Sequence, residues 1–266
     1  KDELDTLWHS HLDGFILSDT VAFTSDERDV LRMPLLKKWL FIADRLHGMV
    51  EHGKNRKTHV RQMKHLARNL RHGLFLLTDG YAPLPATIPQ DFFCDGYFQS
   101  ARYFDSIRPQ LLKELVPTDS FSAEEKEFAE QIAHSESVCL TIRLGDYLGN
   151  ATHQVCTKKY YMDAMDEMKR QKPQCKFFVF SDEVEKAREL FNFTYPVIYD
   201  SGKSRDCVSL YIMSKCKHFI ISNSSFSWWA QYLSQNENKT VISPSKWYAE
   251  DVPCDIMQDS WIKLDC

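Results

Sequence analysis

The sequence predicts an α/β chain whose carboxyl-terminal part is Rossmann-like, on three observations. From residue 137 onward short apolar runs alternate with helical segments, the pattern of a parallel sheet with helices on its faces. Three of those runs stop abruptly in polar residues, at Arg143-Leu-Gly-Asp146, at Ser181-Asp182 and at Asn223-Ser224-Ser225-Phe226-Ser227. Residues 1–136 lack the alternation and read as a mostly helical partner, so the expected domains are 1–136 and 137–266.

In chain order, Leu31, Leu35, Leu36, Leu40, Ile42 and Leu46 fall near helical spacing, with Pro34 starting or breaking a helix. Trp8, Phe15, Ile16 and Leu17 are expected to fill core. Residues 52–72 carry seven Lys and Arg interleaved with four His. They read as a solvated face or as a site of weak peripheral contact with anionic membrane. Pro83, Pro85 and Pro89 break the chain, and an aromatic strand and turn follow at Phe92–Phe98. Ser122 and Glu125 have the spacing of a capping box for a helix over 123–134.

The run Val138–Ile142 predicts a buried strand. After it come a helix near 158–171 capped by Thr157, a strand 176–181, a helix 183–191 and a strand 196–199. A helix 206–215, a strand 217–222, a helix from about 226 and a strand 239–243 complete the pattern.

Bulk composition excludes several classes of function. A formal charge of −4 on 266 residues gives no argument for nucleic acid. Eight cysteines without a Cys-x-x-Cys pair argue for reduced thiols in a cytoplasmic protein and against a zinc site. No apolar run is long enough to span a membrane. With nine glycines and neither a Gly-x-Gly-x-x-Gly nor a Walker loop, any phosphate must be held by side chains and helix N-termini. No Asp-x-Asp occurs, which favours a site without a metal.

Carboxyl ends of parallel strands lie side by side, so the three polar strand ends converge on one crevice. There Arg143 offers a forked, permanent charge to a phosphate, although Asp146 three residues on also suits it for a structural ion pair. Ser224, Ser225 and Ser227 stand where hydroxyls and free N–H groups make an anion site or merely cap a helix. Asp146 and Asp182 suit ribose hydroxyls or base N–H donors, and Asp182 also suits a helix cap. Trp228 and Trp229 read as core.

Several blocks resemble glycosyltransferase family 11, the bacterial and animal α-1,2-fucosyltransferase family. They are Arg143-Leu-Gly-Asp-Tyr147, Cys156-Thr-Lys-Lys-Tyr-Tyr161, Lys176-Phe-Phe-Val-Phe-Ser-Asp182, Ser222-Asn-Ser-Ser-Phe-Ser-Trp-Trp-Ala230 and Val241-Ile-Ser-Pro-Ser-Lys-Trp247, with Gly96-Tyr-Phe-Gln-Ser-Ala-Arg-Tyr-Phe104 upstream. The resemblance covers roughly 92–266. It implies a GT-B-like two-domain glycosyltransferase with a Rossmann-like C-terminal domain, GDP-fucose as donor, no metal or other cofactor, and inverting transfer to the 2-hydroxyl of a terminal β-galactoside. The partners it implies are a nucleotide-sugar donor and an oligosaccharide acceptor.

Arg143 would then be the catalytic cation on the diphosphate. Gly145, Asp146, Ser181, Asp182, Asn223, Ser224, Ser225, Phe226 and Ser227 would complete the donor site. The motif's histidine is Thr141 here and its second arginine is Leu144. The family's opening Gly-Gly-x-Gly-Asn-Gln loop is absent, so a segment preceding residue 1 is expected to carry it. These departures keep open a catalytically silent GDP-sugar or glycan-binding module, or a transferase for another GDP-sugar such as GDP-mannose.

Overall fold

The computed structural model describes residues 11–18, 33–50, 56–88 and 92–266, so the expectations for Trp8 and Leu31 lie outside the described residues. The chain forms two compact units. The larger comprises Arg108–Ala249 and Asp259–Cys266 with the described residues among 1–21, and the smaller comprises those of Ala22–Ile107 with Glu250–Gln258. The division therefore falls at 107/108 instead of the expected 136/137. The reason lies in the helix Ala123–Ala133, whose Phe128 packs edge-on against Phe178 and Phe180 of the sheet at 5.6 and 5.7 Å. A helix that covers one face of a sheet belongs to that sheet's core.

The larger unit begins with α3 (Arg108–Glu114) and α4 (Ala123–Ala133), the latter opened by the expected Ser122–Glu125 capping box. There follow β3 (Ser137–Ile142), α5 (Lys158–Gln171), β4 (Lys176–Ser181), α6 (Val184–Leu190), β5 (Val197–Tyr199) and α7 (Asp206–Ser214). The series closes with β6 (His218–Ile220), α8 (Ser225–Leu233), β7 (Val241–Pro244) and β8 (Ile262–Leu264). All strand pairs are parallel, in the order β5-β4-β3-β6-β7-β8. Counted from β3, this is the doubly wound order 3-2-1-4-5-6, whose topological switch point lies between β3 and β6.

Every residue of β3 is buried, which is why the run carries no outward polar position. Val138, Leu140 and Ile142 pack with Tyr160, Tyr161, Ala164, Met165 and Met168 of α5 in one core cluster. Thr157 caps α5 by accepting from the Tyr160 amide at 3.2 Å. The sixth strand, β8, was not expected. Trp228 is core at 3% exposed, whereas Trp229 is half-buried. Phe15 makes a bridge with Pro117, but Ile16 is 53% exposed and does not fill core.

The smaller unit holds α1 (Leu35–Val50), α2 (Arg56–Arg71) and a parallel pair, β1 (Leu74–Leu76) and β2 (Phe93–Asp95). Pro34 opens α1, its carbonyl accepting from the Lys38 amide. Only Leu40 of α1 is fully buried. The basic helix α2 presents the expected solvated face, with Arg56, Lys57, Lys64, Arg68 and Arg71 exposed; Arg61 departs from it, half-buried in an ion pair with Asp44. Among the described residues no helix is long and apolar enough to cross a membrane.

Candidate active site

The last residues of β3 deliver Arg143 to the switch point, where it is 37% exposed. Its Nε and Nη2 donate to Asp146 Oδ1 at 3.0 and 2.7 Å, and its Nη1 lies 3.3 Å from Asp182 Oδ2. The guanidinium also sits 5.7 Å from the centre of the Tyr147 ring. Burial pushes the Tyr147 hydroxyl up to about 12, against the lowering influence of Arg143. The ion pair with Asp146 thus exists, and the same cation faces open space.

Asp182 holds the loop that carries Arg143. Its Oδ1 and Oδ2 accept from the backbone amides of Leu144 and Gly145, each at 2.9 Å. A Cβ at Gly145 would stand 2.6 Å from Asp182 Oδ2, so this anchor requires glycine. Both carboxylate oxygens are engaged within the chain, a different task from the ribose or base contact expected of Asp182. Nor does it cap α6; the nearby local bond is from the Glu183 amide to Ser181 Oγ at 3.1 Å.

The end of β6 supplies the facing wall. The Ser222 amide donates to Thr141 Oγ1 at 2.9 Å, so the residue in the motif's histidine position ties two strands together. Ser222 Oγ and Ser227 Oγ share a hydrogen bond of 3.0 Å. Ser224 occupies the N-cap of α8 without making a side-chain cap bond, Phe226 is half-buried, and Ser225 is exposed. Free amides at this helix start favour an anion. At the other end of α8, Arg108 donates to the Tyr232 and Ser234 carbonyls and Lys239 to that of Gln231, cations that complement the helix dipole.

Asn223 is 2% exposed and its amide is spent within the protein. Nδ2 donates to the His153 and Trp247 carbonyls, both at 2.9 Å, and Oδ1 lies 3.6 Å from Cys156 Sγ. It pins two loops to the strand end. Leu144, in the second-arginine position, is 6% exposed in the sheet's core cluster.

These pieces enclose a cavity of about 300 Å³ that brings together Arg143, Ser181, Asp182, Ser224, Phe226 and Ser227. Gly145, Asp146 and Ser225 do not line it, and Asn223 lines a second cavity of about 400 Å³ instead. Arg143 is in the wall of both. The first cavity also takes in Asp200, Gly202, Ser204, Asp206 and Ser209, which the sequence reading missed. Asp200 follows β5 as Asn223 follows β6, so the strand-end rule applied to a fourth strand would have found it. Burial raises the Asp200 pKa, opposed by hydrogen bonds from the Gly202 and Ser201 amides. Among the described residues no three His, Cys, Asp or Glu side chains gather as a metal site.

The model of the family described as "Glycosyl transferase family 11" matches residues 46–265. An alpha-1,2-colitosyltransferase of Escherichia coli is 31% identical over 183 residues, 64% of this chain and 61% of that protein. The O-antigen biosynthesis glycosyltransferase WbnK of Escherichia coli is 33% identical over 182 residues, 64% of this chain and 59% of that protein. The chain thus spans about three-fifths of the length of the curated relatives it matches. A solved structure of POFUT1 in complex with GDP superposes with a TM-score of 0.36 and 13% identity over 52% of this chain and 49% of that one, too loose a match to carry an argument. The family model runs from α1 through the motifs around Arg143 and Ser224 almost to the last residue: the chain belongs to glycosyl transferase family 11.

Proposed function

We propose that the chain transfers fucose from GDP-fucose to the 2-hydroxyl of a terminal β-galactoside, with inversion and without a metal, in a GT-B-like frame. One observation supports this most: Arg143 lines a cavity at the switch point together with the Ser224 and Ser227 side chains at the start of α8. Transfer of a glycosyl group follows from the family. The donor and acceptor rest on the sequence resemblance, and the α-1,2 linkage also on the name of the colitosyltransferase relative. A cytoplasmic location, with contact of α2 to anionic lipid, belongs to the same proposal.

In this reaction the acceptor hydroxyl oxygen bonds to C1 of the sugar while the bond from C1 to the β-phosphate oxygen breaks. GDP leaves with the electron pair, and the hydroxyl proton passes to a base. Negative charge therefore builds on the β-phosphate, where a fixed guanidinium and helix-start amides stabilise it. Arg143 must first exchange Asp146 for phosphate. A half-exposed ion pair contributes only ~0–1 kcal/mol, so the exchange is easily offset by charge-assisted bonds to the diphosphate.

The test is release of GDP from GDP-fucose in the presence of lactose, with and without EDTA. Sugar-dependent release unchanged by EDTA is the expected result. A colitosyl donor is the second reading, favoured by the 31% identical relative. Release from GDP-colitose but not from GDP-fucose would select it. GDP binding without release from either would mark a catalytically silent module.

A further inference from the structure

Helix α1 is held to the smaller unit by one face only. Leu40 is buried in a cluster with Leu74 and Leu76, and Phe41 packs edge-on against Phe93 at 5.2 Å. From the same side Asp44 accepts from Gln62 at 3.0 Å and pairs with Arg61. On the opposite face Leu35, Trp39, Ile42, Leu46 and Met49 recur at intervals of four and three residues, which aligns them in one stripe along the helix. Their exposure runs from 43% for Ile42 to 86% for Leu35, with Trp39 at 66% and Met49 at 75%. Single exposed apolar side chains are ordinary on a protein surface. An uninterrupted stripe of them marks an interaction face.

The charge around the stripe says what it meets. Together α1 and α2 hold nine Lys and Arg and one acidic residue, Asp44, which Arg61 already matches. The chain as a whole carries −4, so this positive charge is concentrated on two helices and the remainder is more acidic than the whole. Lys38 borders the stripe, three residues after Leu35 and four before Ile42. On the outer side of α2, Val60 and Met63 are 57% and 40% exposed among Lys57, Lys64 and Arg71. None of those three cations meets a carboxylate among the described residues.

A second copy docked through the same face would bring like charge against like. A nucleic acid would satisfy the cations but has no use for an apolar stripe beside them. Leucine, isoleucine and tryptophan bordered by unpaired lysine and arginine are instead the composition of a helix that lies in the plane of an anionic membrane. With 16 residues α1 is also shorter than the roughly 20 that a membrane span needs, and its inner face is bound to the protein.

We propose that α1 lies in the plane of an anionic lipid surface, with the stripe from Leu35 to Met49 inserted among the acyl chains and the exposed cations of α2 on the headgroups. Each cation near such a surface adds to affinity, and salt screens it. The inference rests on the contact of α2 with anionic lipid proposed above, but not on the transferase reading.

The test is flotation of the intact chain with vesicles of phosphatidylcholine, alone or with about 30% phosphatidylglycerol. Wild type should bind the anionic vesicles at least ~10-fold more tightly than the neutral ones, and less tightly as salt rises. Trp39→Ser combined with Met49→Ser leaves the charge unchanged and should weaken that binding at least ~10-fold. Lys57→Gln combined with Lys64→Gln should weaken it by a similar factor on anionic vesicles alone. Brominated acyl chains should quench tryptophan fluorescence in wild type, and much less in Trp39→Phe. All four positions are exposed, so these changes leave the core intact.

Unchanged vesicle binding in the serine pair, or no quenching by brominated chains, would overturn insertion. Loss in the glutamine pair alone would do the same while leaving the contact of α2 in place. A folded wild type that binds neither vesicle would overturn both. A dimer in sedimentation velocity that the serine pair dissolves, in a protein that ignores vesicles, would give the face to a second copy. Every variant should bind GDP as wild type does. A wild type that binds anionic vesicles but never GDP would uphold the lipid surface and sink the transferase reading.

Discussion

Arg143 reaches Asp146 through both Nε and Nη2, at 3.0 and 2.7 Å, from the end of a strand whose every residue is buried. The strand fixes the arginine's root, and the exposed aspartate, 56% open to solvent, holds its head. Asp146 is thus a competitor of any phosphate. Arg143→Ala is expected to lower turnover by at least ~10²-fold, the scale of one preorganised donor. Asp146→Asn should tighten GDP binding by a few-fold, roughly the ~0–1 kcal/mol of the pair it removes. Calorimetry with GDP decides between roles: weaker binding in Asp146→Asn would make Asp146 a donor ligand instead.

Gly145→Ala tests the anchor of the same loop. The added methyl would lie 2.6 Å from Asp182 Oδ2, so the carboxylate must leave one or both amides it accepts from. Losing those charge-assisted bonds is expected to destabilise the fold by about 1–3 kcal/mol and to raise the KM for the nucleotide sugar. A variant with unchanged urea midpoint and unchanged donor KM would show that the loop is held by other means.

The alternation from 137 to 244 was legible because each strand of a parallel sheet is a short apolar run between helices. Thr157 and the Ser122–Glu125 pair marked helix starts through local bonds that sequence spacing records. β8 escaped because Ile262–Leu264 is three residues with an exposed lysine at its centre. The return of 250–258 to the smaller unit escaped for a different reason. It is held by Asp251 on Arg56 and by Asp255 on the Tyr81 amide, contacts between residues far apart in sequence. Within the site, Arg143 and the serines were readable as strand ends. The work of Asn223 was not, since an asparagine after a strand looks the same whether its amide serves a ligand or two loops.

Gln231 offers a prediction about stability alone. Its side chain is fully buried in α8, and among the described residues neither Nε2 nor Oε1 has a hydrogen-bond partner. Burying an amide without compensation costs about 1–3 kcal/mol in proteins. Gln231→Met, close in volume and apolar, is therefore expected to raise stability by ~1 kcal/mol or more in urea unfolding. Destabilisation would mean that the amide serves a bond made only in another state of the protein.

Lys239 couples the far end of the same helix to pH. It donates to the Gln231 carbonyl close to Arg108, and burial first, then that neighbouring charge, lowers its pKa from 10.5 to about 8. Below pH 8 the folded protein must hold a desolvated ammonium that the unfolded chain keeps in water. Between about 8 and 10.5 the unfolded chain binds more protons than the folded one, so this group's contribution to stability rises with pH, by up to about 3 kcal/mol if it acted alone. Lys239→Met removes the charge and keeps the volume. The variant should be more stable than wild type at pH 7.5, and its advantage should shrink by pH 9.5 as the wild-type lysine loses its proton. Urea unfolding of both proteins at the two pH values isolates this residue, because other thiols and phenols titrate alike in each. An advantage that stays constant or grows with pH would place the lysine's folded-state pKa at or above its ordinary value.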